Sequence, residues 1–218
     1  MVKPKPKSRK PLLLIGWGLV VLGVVGVIVA SVVFFRIDSA PKPPDSTIGP
    51  SATQPTAPEI DSYSVAPDLP KYITIPVIDV PKSRVFALGQ DHDQILSPAN
   101  IYDAGWYNAS SKPGQHGAMF IYGHASNWQA EGLFYNLKDL KPGDRVTITR
   151  GDNKQYTYRV NSAKTYPQDK VDMQQILSPI DPAKPGLNLM TCAGHPLDAT
   201  GQFSERLVVF TSLEEIKP

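Results

Sequence analysis

Residues Leu187–His195 read LNLMTCAGH, and Cys192 within them is the only cysteine of the 218-residue chain. Leu187, Leu189 and Met190 make a short buried strand, which Ala193 and Gly194 are expected to break directly after the sulfur. A lone thiol where a core strand meets a loop can be shown to a substrate. A free cysteine is also among the most buried residue types. Position alone therefore leaves two readings open, a packing residue and a nucleophile. One cysteine rules out an intramolecular disulfide and the Cys₄ or Cys₂His₂ zinc clusters.

Outward from this stretch the chain is a series of short strands. GAMFIYG (117–123) is strongly apolar, and RLVVFTS (206–212) is the last strand. RVTITR (145–150) and QYTYRV (155–160) alternate around Gly151–Lys154, which predicts a hairpin. YITIPVIDV (72–80) is a strand whose Pro76 puts it at an edge or bulge, and RVFALG (84–89) is another. Leu133, Phe134, Leu137 and Leu140 fall at i, i+1, i+4 and i+7, one helical stripe over Glu131–Leu140 stopped by Lys141-Pro142-Gly143. VDMQQIL (171–177) reads as one or two helical turns. Many short strands with one or two short helices predict a mainly β fold, a closed or nearly closed barrel.

The segments before Tyr72 have a different composition. Residues 12–35 carry no charge. Twenty-four residues at 1.5 Å each reach about 36 Å, enough for a bilayer core of roughly 30 Å. The stretch is too long for the apolar region of a cleaved signal peptide, which predicts a single transmembrane anchor. Five positive residues in the tail 1–11 face only Arg36 on the other side. Positive-inside then puts the N-terminus in the cytoplasm and everything after the span outside the cell. Residues 36–70 are rich in Pro, with eight between Pro41 and Pro70, and are expected to form an extended stalk. The folded domain is expected over 71–218. Without the six positives up to Arg36, 16 positive residues stand against 20 negative ones over residues 37–218, so everything after the span is mildly acidic and no nucleic-acid partner is expected.

A nucleophilic thiol needs a base or a cation, because at the reference pKa of about 8.5 little of it is thiolate at neutral pH. His92 and His116 sit among polar neighbours and read as solvated. His195 shares the loop of Cys192, but nothing in the sequence orients it. His124 ends the most apolar strand, in IYGHAS, so two strands end in a reactive side chain followed by small residues. Among the arginines, Arg145 and Arg150 flank the hairpin turn and Arg159 faces out. Arg206 shares a strand face with Val208 and Phe210, which predicts an inward direction beside the thiol.

With these pieces in order, the chain resembles the sortase family. The resemblance is carried by Gly123-His124 after an apolar strand, by the run G-x-F-x-x-L-x-x-L-x-x-G-D from Gly132 to Asp144, by Thr191-Cys192 ending a strand, and by Arg206 opening the last one. His124 and Cys192 are 68 positions apart, and Cys192 and Arg206 are 14 apart. GWY (105–107), YPQDKVD (166–172) and CAGHPLDATGQF (192–203) look most like class E and F housekeeping sortases. The resemblance implies an eight-stranded barrel and a cysteine transpeptidase. In it Cys192 is the nucleophile, His124 the histidine and Arg206 the arginine, with Thr191 at a position that helps hold substrate or oxyanion. The implied substrates are surface proteins bearing an LPxTG-like sorting signal, cut between Thr and Gly through a thioester. The implied acceptor is an amine, usually of the peptidoglycan precursor. No metal or organic cofactor is implied, and Asn108–Gln115 lacks the carboxylates that calcium-dependent members carry. Asn188-Leu189-Met190 departs from the Thr-Leu often found before the cysteine. No Asp-Pro-aromatic lid motif is seen in the stalk, which favours cell-wall anchoring over pilin polymerisation.

Three further readings differ in class, one of them a structural barrel with a dead site, which fails unless Cys192, His124 and Arg206 lie far apart. An envelope thiol peptidase would use the same residues with water as acceptor. Arg150-Gly151-Asp152 spells an integrin-type triplet, although Gly-Asp-Asn is ordinary turn chemistry.

Overall fold

The structure, a computed structural model, describes residues 49–92, 94–196 and 202–218. The expected basic tail and transmembrane span lie outside the described residues, as does the stalk up to residue 48. Among the described residues no helix is long and apolar enough to cross a membrane.

Ten strands form: β1 (Pro70–Ile75), β2 (Val80–Leu88), β3 (Gln90–Asp91), β4 (Gln94–Ile95), β5 (Ala104–Tyr107), β6 (Ala118–Gly123), β7 (Arg145–Arg150), β8 (Gln155–Pro167), β9 (Gly186–Pro196) and β10 (Phe203–Lys217). Eight of them close a barrel in the order β1-β2-β5-β6-β9-β10-β8-β7, and β3-β4 is a separate two-stranded ribbon. Among the described residues the fold is mainly β with two short α-helices, Ala57–Ser62 and Met173–Ile176, as the strand-rich pattern predicts. β2–β5 and β6–β9 pair in parallel; the other barrel pairs are antiparallel.

The barrel interior is apolar. Ile73 and Ile75 of β1, Met119 and Ile121 of β6, Leu187 and Leu189 of β9, and Leu207 and Val209 of β10 meet Ile148 and Tyr158 there. A second cluster lies on the opposite face of β6, β9 and β10. Phe120, Val208 and Phe210 pack against Ile176, with Tyr107, Tyr122, Tyr166 and Met190 around them. These three strands are therefore covered on both faces, which is why AMFIYG and LVVF read as unbroken apolar runs rather than alternating ones. The covering segment is held by Asp172, which caps the helix Met173–Ile176 by accepting from the Gln174 and Gln175 N–H groups. Asn188 of β9 ties it down, its Nδ2 donating to the carbonyls of Ile176 at 2.6 Å and Ser178 at 3.0 Å.

Several expected elements differ. Pro76 ends β1 instead of lying within a strand: Pro76–Ile78 is a 3₁₀ turn and Asp79 is left-handed, at φ 57°. The helix expected over Glu131–Leu140 shrinks to a 3₁₀ turn at Tyr135–Asp139. The apolar positions are still buried, but the first backbone donors go elsewhere. Leu133 N–H donates to the Ile101 carbonyl at 2.8 Å and Phe134 N–H to that of His124 at 2.9 Å. A Cβ on Gly132 would lie 2.5 Å from the His124 carbonyl oxygen, so this loop grips the end of β6 closely.

The Pro-rich composition also hides order. Residues from Gly49 onward lie on the barrel instead of standing off it. Ser51 bridges Asn100, and Asn100 Nδ2 donates to the Thr53 carbonyl at 2.7 Å. The helix Ala57–Ser62 has Pro58 in its first turn, and the Glu59 carboxylate accepts from the Thr56 N–H at 2.7 Å. Two tyrosines clamp it: Tyr63 OH donates to the Val85 carbonyl at 2.6 Å and Tyr72 OH to that of Ile60 at 2.5 Å. Anchoring of this kind needs only a few well-placed hydroxyls and rings, which composition does not reveal.

Candidate active site

Three adjacent strands bring the singled-out residues into one row. β6 and β9 pair in parallel from Ala118↔Gly186 to Tyr122↔Met190, a constant offset of 68. Carried two residues further, the same offset sets His124 beside Cys192. The bond from Thr191 Oγ1 to the Gly123 carbonyl, 2.8 Å, holds that register at its edge. On the other side Cys192 is the direct partner of Arg206 across β9 and β10. Strand neighbours are about 4.8 Å apart, so the backbone of Cys192 lies beside that of Arg206 on one side, with His124 directly following β6 on the other.

The row faces outward. Leu187, Leu189 and Thr191 point into the barrel, so Asn188, Met190 and Cys192 point to the outer cluster. The expected parity of Arg206 with Val208 and Phe210 is right, but their face is the outer one. The inner-rim expectation fails because the covering segment buries the outside of β10 as well. The strand does not stop at the sulfur either. β9 runs on to Pro196, and β10 pairs with it from Phe203, with a register shift between Phe203 and Glu205. Gly194 absorbs that irregularity with φ +79°; a Cβ there would lie 2.3 Å from Ser204 Oγ.

His124 is half-buried, and its Nε2 lies 2.9 Å from the Pro98 carbonyl. A carbonyl only accepts, so Nε2 carries the proton and Nδ1 is the nitrogen that gains or loses one. Burial lowers the His124 pKa, and the hydrogen bond to Pro98 offsets this in part. The imidazole is therefore neutral at neutral pH.

Arg206 Nη1 donates to the carbonyls of Phe203 at 2.9 Å and Glu205 at 2.8 Å. Backbone carbonyls fix the head without neutralising it. The other barrel arginines are engaged by carboxylates: Arg84 by Asp103, Arg145 and Arg159 by Glu214, and Arg150 by Asp152. Among the described residues Arg206 makes no such ion pair.

Thr191 is 2% exposed and spends its hydroxyl on Gly123, inside the barrel. Its side chain lies on the face opposite Cys192, where it locks β9 to β6. His92 and His116 are exposed, and His195 is exposed with Nδ1 3.4 Å from Ser204 Oγ. The Arg150-Gly151-Asp152 triplet is closed on itself, with Arg150 Nε 2.9 Å from an Asp152 oxygen. That hydrogen bond holds the Asp152 carboxyl down at about 2. A cavity of about 290 Å³ lies elsewhere, around the Arg84–Asp103 pair with Gln54, Pro55 and Ile60, and is lined by none of the row.

Two groups at the site carry no sequence signal. The Pro98 carbonyl is backbone. Tyr122, one row below His124 on the same face, puts its hydroxyl 3.8 Å from Cys192 Sγ and its ring 6.1 Å from the His124 ring. Within an apolar strand a tyrosine reads as packing. Among the described residues no group of three or more His, Cys, Asp or Glu side chains converges as metal ligands would.

A family model described as a sortase domain matches residues 73–214. Several solved structures share the fold. The SrtA sortase of Actinomyces oris is 16% identical, over 78% of this chain and 89% of that one, with a TM-score of 0.52. Sortase C of Streptococcus pneumoniae is 20% identical over 78% and 77%, with a TM-score of 0.53. A lid mutant of sortase A from Corynebacterium diphtheriae is 25% identical over 78% and 86%, with a TM-score of 0.52. No curated protein matches the sequence.

Proposed function

The chain belongs to the sortase family, and from that premise we propose that it is a membrane-anchored, extracellular cysteine transpeptidase of the housekeeping, class E/F-like kind. It cleaves an LPxTG-like sorting signal between Thr and Gly and transfers the protein to a cell-wall amine. The observation that carries this reading is the row His124–Cys192–Arg206 across β6, β9 and β10, with the guanidinium held by carbonyls only. The expected span at 12–35 keeps the enzyme at the face where membrane-borne substrates arrive, which raises their effective concentration.

Each residue has a definite task. The active form carries the thiol proton on His124 Nδ1. The Cys192 thiolate attacks the Thr carbonyl carbon, and the carbonyl electrons move to oxygen. Arg206 faces that oxyanion with a charge it does not lose. The C–N bond then breaks, and the leaving Gly amine takes the proton from the imidazolium. A thioester remains. An incoming amine gives a proton to the imidazole as it attacks the thioester carbon, the C–S bond breaks, and the sulfur leaves as thiolate.

The test is mass spectrometry of the full-length chain in detergent, incubated with a library of sorting-motif pentapeptides. The expected product is an acyl adduct on Cys192 that ends at the Thr of one motif. Added amine should convert it into a new amide, and Cys192→Ala should form neither. Cleavage by Cys192→Ala refutes the assignment, and release of free acid despite abundant amine favours the peptidase reading.

A further inference from the structure

The contact between Tyr122 and the sulfur has a role that packing alone does not explain. Tyr122 is paired with Met190, one row below the thiol, and its side chain leans along the strand to bring the hydroxyl to 3.8 Å from Sγ. Burial first, and then the neighbouring thiol, push the phenol up to about 12, against smaller pulls from Ser97 and Arg206. The hydroxyl therefore keeps its proton across the working range of the enzyme and can always donate. Other titratable or charged groups lie around the pair: His124 at the end of β6, Arg206 and Glu205 on β10, and Tyr107 and Tyr166 of the outer cluster. His124 has its Nε2–H committed to Pro98, and Arg206 has Nη1 committed to two carbonyls.

We propose that Tyr122 is a catalytic residue that donates its phenolic hydrogen bond to the Cys192 thiolate, stabilising the ionised sulfur before attack and again when it leaves the thioester. A hydrogen bond to an anion is stronger than one to a neutral thiol, so the donor favours the reactive ion pair over the resting pair. It is the counterweight to the burial that keeps His124 neutral. The role presupposes the thiolate chemistry proposed above, but it can be read without any peptide substrate.

The experiment is the pH dependence of Cys192 alkylation by iodoacetamide, in the full-length parent and in Tyr122→Phe. Phe keeps the ring and its packing, and an unchanged melting temperature checks this. Alkylation of the variant near neutral pH should slow on the order of tenfold, with the whole pH–rate curve displaced to higher pH, since a tenfold change in ionised fraction is one pH unit. Replacement of Tyr122 by a ring-fluorinated tyrosine, a stronger donor of the same shape, should displace the curve the other way. Coincident curves for parent and Tyr122→Phe overturn the proposal, as does a fluorinated variant that moves with Phe. A displaced curve in a protein that cleaves no sorting peptide supports the Tyr122–thiolate bond and refutes the transpeptidase reading instead.

Discussion

The imidazole of His124 is the residue on which the pH behaviour turns. Burial depresses its pKa below the unfolded value of about 6.5, and the Pro98 carbonyl recovers only part. On acidification the unfolded chain takes up the proton first. The stability from this group is thus present above about pH 6.5 and lost as pH falls through the depressed folded value. NMR titration of the ring should give a midpoint below the ordinary histidine range. Between about pH 7 and 5 the parent should lose denaturant resistance more steeply than His124→Gln. A midpoint above the ordinary range would mean a stable imidazolium–thiolate pair at rest and would refute this. The expectation that His124 follows the end of an apolar strand holds, since β6 stops at Gly123, whereas Cys192 lies within β9, which runs on to Pro196. Arg206 was legible by parity but not by side, since apolar partners on a strand face do not say which of two buried faces they occupy. Tyr122 and the Pro98 carbonyl were not legible at all, because one resembles packing and the other has no side chain.

At the scale of elements, the segment from Gly49 to Leu69 belongs with the barrel. It reaches the loop that supports the histidine: Ser51 N–H donates to the Ala99 carbonyl at 2.8 Å, next to the Pro98 carbonyl that holds Nε2. A chain cut at residue 71, where composition puts the domain boundary, loses this pairing and the Tyr63, Tyr72 and Thr53 bonds. At about 1 kcal/mol net per hydrogen bond the loss is on the order of 4 kcal/mol, or roughly 8–16 °C in Tm for a domain of this size. Calorimetry of the 71–218 and 49–218 fragments checks this, and equal melting temperatures would show that the segment is only laid on the surface. The strands were read more securely than their surroundings for a physical reason. A strand's partners are strands, and alternation or unbroken apolarity reports burial directly. The 131–140 loop kept its apolar spacing yet gave its backbone donors to Ile101 and His124, a long-range choice that local periodicity does not contain.

For the whole molecule, the row is built from residues far apart in the chain and from one parallel pairing. The crossover from β6 to β9 includes β7, β8 and the covering segment, so the pairing cannot form as a local hairpin does. Loop-closure entropy is spent before such contacts return anything, which makes them late in folding. During refolding at about pH 6.5, where an ordinary thiol is almost wholly protonated, rapid alkylation of Cys192 should appear together with burial of Trp106 in the barrel core and not before. Comparable reactivity in the denatured chain would show that the sulfur needs no neighbours. The parallel register of β6 and β9 thus acts as a safeguard. Until this non-local pairing has formed, the one thiol of the chain lacks the neighbours that β6 and β10 bring to it, and is exposed to oxidants only as an ordinary thiol.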